Sequence, residues 1–396
     1  MEFTELKKYI ERMVTDYKIP GCDCIVYKGN EQIFRHFSGL SDMENNKPMN
    51  GNELYMIFSM TKLVTVVAAL QLLEKGKYLL TDELSYYMPE FKKMKVTKDD
   101  LNTMNAAKIT TGESFGETVD TKADCYAVNP IRIIDLFVMS AGLDYNLEAP
   151  GIKKAISEGR TSTRELVGAL SETVLGFEPG TRFRYSLCHD VLGALIEIWS
   201  GQKLGVYMKE NIFEPLGMKD TFFGVPKDEE RLERLAARYS VADSGELIRM
   251  PVECIFNLTE EYESGGAGLT SSAEDYALFL DALANGGVGK NGFKMLSSHT
   301  VKLLGTNHVS GQVYNDFDEL RPGYGYGLGV RVHDNKTRSG SLSPIGEFGW
   351  DGAAGGFSMV DPINNISLTY MQHSHKWYLR AQTEMRNILY SCLSKD

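Results

Sequence analysis

The spacing of hydrophobic residues divides the chain into β-rich ends and a helical middle. Residues 5–17 have helical spacing, which an Ile-Pro-Gly break at 19–21 ends, and β-rich segments at 22–27 and 32–37 flank a Gly-Asn turn that predicts a hairpin. Helical spacing then recurs at 58–75, 131–140, 164–175 and 191–200, strand-like segments follow at 326–332, 356–360 and 366–371, and a helix over 377–393 closes the chain.

This order predicts one α/β domain built from both ends of the chain, with a helical domain inserted. We place the α/β domain at residues 1–57 and 240–396, and the mainly helical domain at residues 58–239. Residues 96–128 are polar and weakly periodic, which indicates a surface excursion and a candidate lid.

Composition narrows the choice of partners and location. The 396 residues contain 42 Lys and Arg against 53 Asp and Glu, a net charge of −11, which argues against nucleic acid or an anionic membrane as the main partner. Six cysteines in so long a chain suggest a reducing compartment. The charged amphipathic opening does not resemble a secretory signal, and the apolar stretch 63–73 is too short to cross a bilayer, so we expect a cytoplasmic protein.

Ser59 and Lys62 form a candidate catalytic pair at the start of the 58–75 helix. A hydroxyl and an amine three residues apart project from one helical face, which suits an activated serine nucleophile. Ser200 and Lys203 have the same spacing, but Gly201 indicates a helix end, so we interpret that copy as a surface turn. The tetrapeptide alone is also explained by an N-cap serine followed by an exposed lysine.

Other segments follow in an order that is known from one family. They are Ser140-Ala141-Gly142-Leu143, Pro179-Gly180, Tyr185-Ser186-Leu187, residues 212–218, residues 265–269 and Trp350-Asp351-Gly352-Ala353. The order Ser-x-x-Lys, Tyr-Ser-x, aromatic-x-Gly resembles the β-lactamase-related serine hydrolases, which include class C β-lactamases, penicillin-binding D-Ala-D-Ala peptidases and lactamase-like esterases. The resemblance covers most of the chain. It implies a β-lactamase-like α/β fold, in which a mainly antiparallel sheet is flanked by helices and the site lies beside an inserted helical domain.

The same resemblance implies roles for five residues. Ser59 would be the nucleophile, Lys62 and Tyr185 would handle protons, and the backbone N–H groups of Ser59 and Ala353 would form the oxyanion hole beside Gly352. Lysine and tyrosine both have reference pKa values of about 10, so neither is a base near neutrality unless its surroundings shift its pKa. The sequence leaves open which of the two takes the proton from Ser59. We expect no metal and no cofactor.

Three positions depart from the pattern of lactamases and peptidases. Trp350 and Asp351 stand where those proteins have the lysine and threonine of Lys-Thr-Gly, and Leu187 replaces the asparagine of Tyr-x-Asn. A substrate carboxylate would lose its cation and meet a like charge, at a cost of about 1 kcal/mol or more for an effective dielectric of ~20. We therefore expect Leu187, Trp350, Asp351 and Gly352 to contact a neutral substrate. Taken singly, Trp350 also fits a core aromatic and Leu187 a helix-start hydrophobe.

These residues predict a serine hydrolase that forms an acyl-Ser59 intermediate, most simply an esterase of neutral acyl esters. The alternative within enzymes is a β-lactamase or a D-amino-acid peptidase of the D-Ala-D-Ala carboxypeptidase kind. The alternative from another class is a non-hydrolytic penicillin-binding sensor or scaffold, although a degenerate scaffold should have lost part of the set Ser59, Lys62 and Tyr185. The expected partner is a small-molecule ester or amide, and the sequence gives no oligomeric state.

Three further motifs receive structural interpretations. Cys22 and Cys24 share one face of a strand, which favours two small buried hydrophobes over a metal or redox pair. His373-Ser374-His375 lacks a spaced third ligand for zinc. The glycine-rich stretch 323–329 lacks the spacing of a nucleotide loop, so we expect a structural strand in which Tyr324 or Tyr326 borders the cleft.

Overall fold

The structure is a computed structural model that describes residues 2–97, 125–374 and 378–393. The candidate lid at 96–128 falls almost entirely outside these ranges.

The strands of the described residues follow the chain from β1 to β16. They are β1 (Gly21–Lys28), β2 (Glu31–Asp42), β3 (Lys47–Pro48), β4 (Leu54–Met56), β5 (Lys95–Val96), β6 (Cys125–Tyr126), β7 (Val174–Leu175), β8 (Phe222–Phe223), β9 (Tyr239–Val241), β10 (Leu247–Arg249), β11 (Leu269–Ser272), β12 (Tyr324–Tyr326), β13 (Arg331–His333), β14 (Phe348–Gly349), β15 (Phe357–Asp361) and β16 (Ile366–Gln372).

The α-helices of the same ranges are numbered in the same way. They are α1 (Thr4–Thr15), α2 (Thr61–Glu74), α3 (Ile133–Phe137), α4 (Pro150–Ser157), α5 (Thr163–Gly168), α6 (Cys188–Ser200), α7 (Leu204–Met208), α8 (Glu214–Leu216), α9 (Glu229–Arg234), α10 (Ala273–Ala284), α11 (Ser298–Leu304), α12 (Gly311–Leu320), α13 (Lys336–Ser339) and α14 (Tyr378–Leu393). Short 3-10 turns occupy Phe58–Met60, Leu84–Tyr86, Pro89–Lys92 and Ala169–Glu172, and a π turn occupies Lys209–Phe213.

The main sheet joins strands from the two ends of the chain. Its order is β12-β13-β14-β15-β16-β1-β2-β3, and each of its neighbouring pairs is antiparallel. β1 forms the predicted hairpin with β2 on one side and pairs with β16 on the other. This arrangement confirms the predicted mixed fold with a mainly antiparallel sheet, while the boundaries of the inserted helical domain stay a prediction.

Alternation along β1 gives the sheet two apolar faces. Cys22, Cys24 and Val26 belong to the core that β1 shares with α1 and α14, whereas Ile25 and Tyr27 belong to the larger core on the opposite face. Successive side chains of a strand point to opposite faces, so a strand that is buried on both sides reads as a continuous apolar run. The burial predicted for the two cysteines is confirmed, and all six cysteines are free thiols.

Helix α2 runs through the larger core and is buried on all sides. Twelve of its fourteen residues are buried, which is typical of a helix without a polar face. Its N-terminus is fixed to the small sheet β4-β11-β8, because Ile57 N–H donates to Leu269 O (3.0 Å) and Leu269 N–H donates to the Thr61 hydroxyl (3.1 Å). The start of this helix is therefore held on a rigid support.

Three predicted elements end differently in the structure. The helices predicted at 131–140 and 164–175 are shorter, at Ile133–Phe137 and Thr163–Gly168. The strand predicted at 326–332 is a hairpin of β12 and β13, because Gly329 adopts a φ of +73° between them. Among the described residues no helix combines the length and apolar character needed to cross a bilayer, and the cytoplasmic location stays a prediction.

Candidate active site

Ser59 lies in a strained turn between β4 and α2. The preceding residue, Phe58, has a φ of +46°, a left-handed conformation that costs a bulky side chain on the order of 1–2 kcal/mol. The Phe58 ring is 4% exposed and packs edge-on against Phe256, with 6.0 Å between centroids, so packing holds the turn. Ser59 itself is half-buried at the entrance to the core.

Lys62 extends from the first turn of α2 toward Ser59. Its Nζ lies 3.3 Å from Ser59 Oγ and 3.1 Å from the Tyr145 hydroxyl, and it donates a hydrogen bond to Gly266 O at 2.7 Å. The side chain is completely buried. The exposed lysine that the tetrapeptide alone would have allowed is therefore wrong.

Tyr185 completes the predicted set from the segment before α6. Its hydroxyl is hydrogen-bonded to the Ser59 side chain and accepts a hydrogen bond from Trp350 Nε1 at 3.3 Å. Lys62 Nζ lies 4.6 Å from the centre of the Tyr185 ring. The structure thus brings together Ser59, Lys62 and Tyr185, although 126 positions separate the first from the last.

Burial moves the pKa values of the amine and the phenol in opposite directions. Loss of hydration lowers the pKa of Lys62 to about 7, against the partial opposing effect of Asp190. The same loss of hydration raises the pKa of Tyr185 above its usual range, despite the hydrogen bonds from Ser59 and Trp350. Near neutrality Lys62 is available as a proton acceptor, and Tyr185 keeps its proton.

Gly352 brings the third motif against the nucleophile turn. A β-carbon on Gly352 would lie 2.4 Å from Ile57 O, a distance that only glycine tolerates. The Gly352 N–H donates to Gly356 O at 2.8 Å, and Ala353 follows half-buried. The motif is therefore close enough to Ser59 for a shared site, and the oxyanion role of the Ser59 and Ala353 amides stays a prediction.

The other predicted substrate contacts are mostly buried. Trp350 is 6% exposed and stacks on Tyr185, with 5.7 Å between ring centroids. Leu187 is 1% exposed and belongs to the main core, so its substrate contact stays a prediction.

Asp351 requires a correction. It is 1% exposed and forms an ion pair with Arg321, a residue of the segment after α12. The guanidinium offsets the carboxylate, so the free like charge that the sequence led us to expect in the cleft is wrong. The aromatic replacement of the motif's lysine is unaffected by this correction.

Tyr145 is a site residue that sequence reasoning missed. Its hydroxyl contacts Lys62, its ring stacks on Tyr185 at 5.4 Å between centroids, and burial raises its pKa well above the usual value. The one sequence feature that could have indicated Tyr145 is its position two residues after Leu143, the last residue of the Ser-Ala-Gly-Leu segment.

The remaining motifs add no residue to the set Ser59, Lys62 and Tyr185. Tyr326 is buried edge-on against Trp350, and Tyr324 packs against Arg331 instead of the cleft. His373 is buried, and the loss of hydration lowers its pKa to about 4 against the opposing effect of its hydrogen bond with Ala237 O. His375 falls outside the described ranges. Within those ranges no three His, Cys, Asp or Glu residues are placed to hold a metal ion. Ser200 ends α6 as predicted, before Gly201 at a φ of +73°.

Comparison with known proteins gives relatives along nearly the whole chain. Protein Rv1367c of Mycobacterium tuberculosis is 30% identical over 367 residues, covering 90% of this chain and 86% of that protein. Esterase EstB of Burkholderia gladioli is 24% identical over 391 residues, covering 93% and 90%. An Escherichia coli K12 protein whose name proposes a D-alanyl-D-alanine carboxypeptidase is 24% identical over 398 residues, covering 93% and 81%.

A solved structure and a family profile agree with these relatives. Simvastatin synthase (LovD) of Aspergillus terreus superposes with a TM-score of 0.79 at 20% identity and covers 100% of both chains, which shows the fold alone. The profile of the Beta-lactamase family matches residues 6–390. The chain therefore belongs to the Beta-lactamase family and is a serine hydrolase of the β-lactamase fold.

Proposed function

We propose that this protein hydrolyses neutral carboxylic esters through an acyl-Ser59 intermediate. The observation that carries the proposal is the indole of Trp350, which stacks on Tyr185 at the position where a peptidase would present a lysine to the substrate carboxylate. An aromatic surface there favours an uncharged substrate, because a carboxylate would be desolvated without a compensating cation. Similarity to the esterase EstB agrees with this choice.

Acylation follows from the positions of Lys62 and Tyr185. The O–H bond of Ser59 breaks and its proton passes to the neutral Lys62 amine, 3.3 Å away, while Oγ bonds to the ester carbonyl carbon. The carbonyl oxygen becomes negative facing the backbone amides of Ser59 and Ala353. When the carbonyl re-forms, the bond to the alcohol oxygen breaks, and the Lys62 ammonium returns the proton to that oxygen through the Tyr185 hydroxyl.

Deacylation repeats the same steps with water in place of serine. A water molecule attacks the acyl-Ser59 carbonyl while Lys62 takes one of its protons. Collapse breaks the bond from the acyl carbon to Oγ, and the proton goes back to Ser59. The products are a carboxylic acid, an alcohol and the starting enzyme.

A serine-directed phosphonate tests the nucleophile. We expect one adduct by intact-mass measurement, and its mapping to Ser59. The variant Ser59→Ala should take up no phosphonate, whereas Ser200→Ala, which removes the serine of the second Ser-x-x-Lys copy, should be labelled fully. An adduct on another residue, or one that survives Ser59→Ala, contradicts the assignment.

A substrate panel tests the ester preference. Rates on p-nitrophenyl acetate and butyrate should exceed the rate on a chromogenic cephalosporin, whose ring carboxylate would face Trp350 and find no lysine. Faster turnover of the cephalosporin would favour the β-lactamase or peptidase alternative. Absence of turnover on all three, with Ser59 still labelled, would favour the non-hydrolytic sensor or scaffold.

A further inference from the structure

Helix α6 carries a buried carboxylate that the steps above do not use. Asp190 is 0% exposed, and its Oδ1 accepts hydrogen bonds from the Tyr262 hydroxyl (2.8 Å) and the Ser264 hydroxyl (2.6 Å). Among the described residues Oδ2 has no hydrogen-bond partner. The two hydroxyl donors hold this carboxyl group in a fixed orientation inside the core.

The free oxygen of Asp190 lies next to the Lys62 amine. A β-carbon on Gly266 would lie 2.4 Å from Asp190 Oδ2 and 3.3 Å from Lys62 Nζ, so these two atoms are less than 6 Å apart. Lys62 also donates to the carbonyl of Gly266. Glycine at this position keeps the space between carboxylate and amine free of side-chain atoms.

The other side chains around the amine are uncharged near neutrality. Burial raises the pKa of Tyr145 and Tyr185 and brings that of Cys188 to about 12, and it lowers the pKa of His189 to about 3. Tyr262, the remaining polar neighbour, also has a raised pKa. Among the described groups that act electrostatically on Lys62, Asp190 is the carboxyl group.

We propose that Asp190 is a positioning residue that stabilises the Lys62 ammonium formed when Ser59 gives up its proton. This inference rests on the proposed function, because it needs Lys62 to act as the base. Proton transfer creates a cation on a side chain that is completely buried, and burial alone opposes that step. A carboxylate less than 6 Å away, held in place by two donors to its Oδ1, offsets part of the penalty.

The variant Asp190→Asn tests the charge while keeping the shape and an oxygen acceptor for Tyr262 and Ser264. We expect kcat/KM on p-nitrophenyl butyrate to fall roughly 10- to 100-fold on the pH plateau, because Lys62 becomes a weaker base. We also expect the acidic limb of the pH profile to move to lower pH, by about one unit, because the ammonium loses its counter-charge.

Glu197→Gln is the matched control. It removes a second carboxylate from the same helix, a partly buried one that accepts from the backbone N–H of Leu204 and lies in the C-terminal half of α6, away from Asp190. The acidic limb of its kcat/KM–pH profile should coincide with that of the wild type. If the limb of Asp190→Asn also coincides with the wild type, Asp190 has a merely structural role and the inference is overturned.

Two further measurements keep the test decisive. Should Asp190→Asn fail to fold, Ser264→Ala replaces it. Loss of the 2.6 Å hydrogen bond removes a hydroxyl dipole that partly offsets the carboxylate, so the acidic limb of the pH profile should move to higher pH, and an unmoved limb overturns the inference. Phosphonate labelling of Ser59 in the wild type separates the two claims. No label at Ser59 contradicts the proposed function, whereas full label with an unmoved limb contradicts only the role of Asp190.

Discussion

Burial acts on both Lys62 and Tyr185, and it changes their pKa values in opposite directions. Both side chains contact Ser59 in a site from which water is largely excluded, and a low-dielectric environment disfavours whichever form is charged. The charged form of lysine is the protonated one, and that of tyrosine is the deprotonated one. Burial therefore favours Lys62 as the proton acceptor and Tyr185 as the proton donor in the proposed reaction, a choice that the sequence alone left open.

Activity should depend on the neutral form of Lys62. With its pKa lowered to about 7, the amine is protonated below that pH and neutral above it, so kcat/KM on p-nitrophenyl butyrate should rise with pH through about 7 and then level off. Lys62→Arg keeps a charge at every accessible pH and should lose activity by roughly 100- to 10,000-fold. A pH series on both proteins measures this, and a Lys62→Arg enzyme within about tenfold of the wild type would exclude Lys62 as the base.

Removal of the Tyr185 hydroxyl should slow the reaction without altering the ring. Tyr185→Phe should lower kcat roughly 100-fold or more, the usual contribution of a group that transfers protons. Tyr86→Phe, at a side chain that is 66% exposed, is the control and should leave kcat unchanged. Steady-state kinetics on the two variants test this expectation. Equal kcat values for Tyr185→Phe and Tyr86→Phe would show that the Tyr185 hydroxyl does not transfer protons in the reaction.

Sequence reasoning at this scale succeeded where a residue belongs to a motif and failed where its role depends on a distant partner. Ser59 and Lys62 were singled out by their spacing, and Tyr185 by the resemblance to the β-lactamase-related hydrolases. The three side chains meet in the structure, while their roles stay predictions. Asp351 was misjudged because its charge is offset by Arg321, and Tyr145 was missed because no spacing rule marks a phenol that reaches Lys62 from another segment. Contacts of this kind are set by packing, which a single sequence does not display.

At the scale of elements, the site depends on how closely the third motif approaches the turn before α2. Gly352→Ala would place a methyl group against the Ile57 carbonyl and force the two segments apart. We expect kcat/KM to fall by about 100-fold or more, the scale of losing one oxyanion donor, because Ala353 would move away from Ser59.

Gly340→Ala separates close approach from backbone strain. Gly340 has a φ of +64°, and a β-carbon there would meet no neighbouring atom within 4 Å, so alanine costs stability, about 1 kcal/mol, but leaves the cleft untouched. Its kcat/KM should match the wild type although its melting temperature falls. Equal activity losses in the two glycine variants would mean that the effect of Gly352→Ala comes from general destabilisation.

Elements were predicted reliably where the hydrophobic period is long and uninterrupted. The strand β1 and the helices α2, α6 and α14 lie within a few residues of their predicted bounds, and β2 begins where predicted but continues to Asp42. The hairpin of β12 and β13 was predicted as one strand, because the turn depends on Gly329, which packs against Val66 and His189. The sequence does not distinguish a glycine that a tertiary contact requires from a glycine that only weakens a strand.

At the scale of the whole molecule, Lys62 should make stability depend on pH. Its pKa is about 7 in the folded state and near its ordinary value of 10.5 when unfolded, so between these values the unfolded chain binds the extra proton. The contribution of Lys62 to the free energy of unfolding therefore increases as pH rises from about 7. Below pH 7 the folded state bears the full penalty of a buried ammonium.

Lys62→Met removes that penalty together with the amine. The free energy of unfolding of Lys62→Met should exceed that of the wild type by more at about pH 6 than at about pH 9, as measured by urea unfolding at both values. A difference that is constant with pH, or larger at the alkaline value, would contradict a lowered pKa for Lys62 in the folded protein.

The outer face of the main sheet should affect stability independently of catalysis. Leu389 of α14 is completely buried in the core shared with α1 and β1, across the sheet from the core that contains Lys62. Leu389→Ala should lower the free energy of unfolding by about 2–5 kcal/mol while kcat/KM at a permissive temperature stays at the wild-type value. A parallel loss of kcat/KM would show that the two faces of the sheet are coupled.

The ion pair between Asp351 and Arg321 restricts how this enzyme could be converted to act on acidic substrates. Placing lysine and threonine at positions 350 and 351 would restore the Lys-Thr-Gly sequence of the third motif, yet it would remove the carboxylate of the buried ion pair with Arg321. A laboratory library that varies positions 350 and 351 alone therefore starts from a destabilised parent. Productive routes to lactam or peptide turnover should change position 321 in the same step.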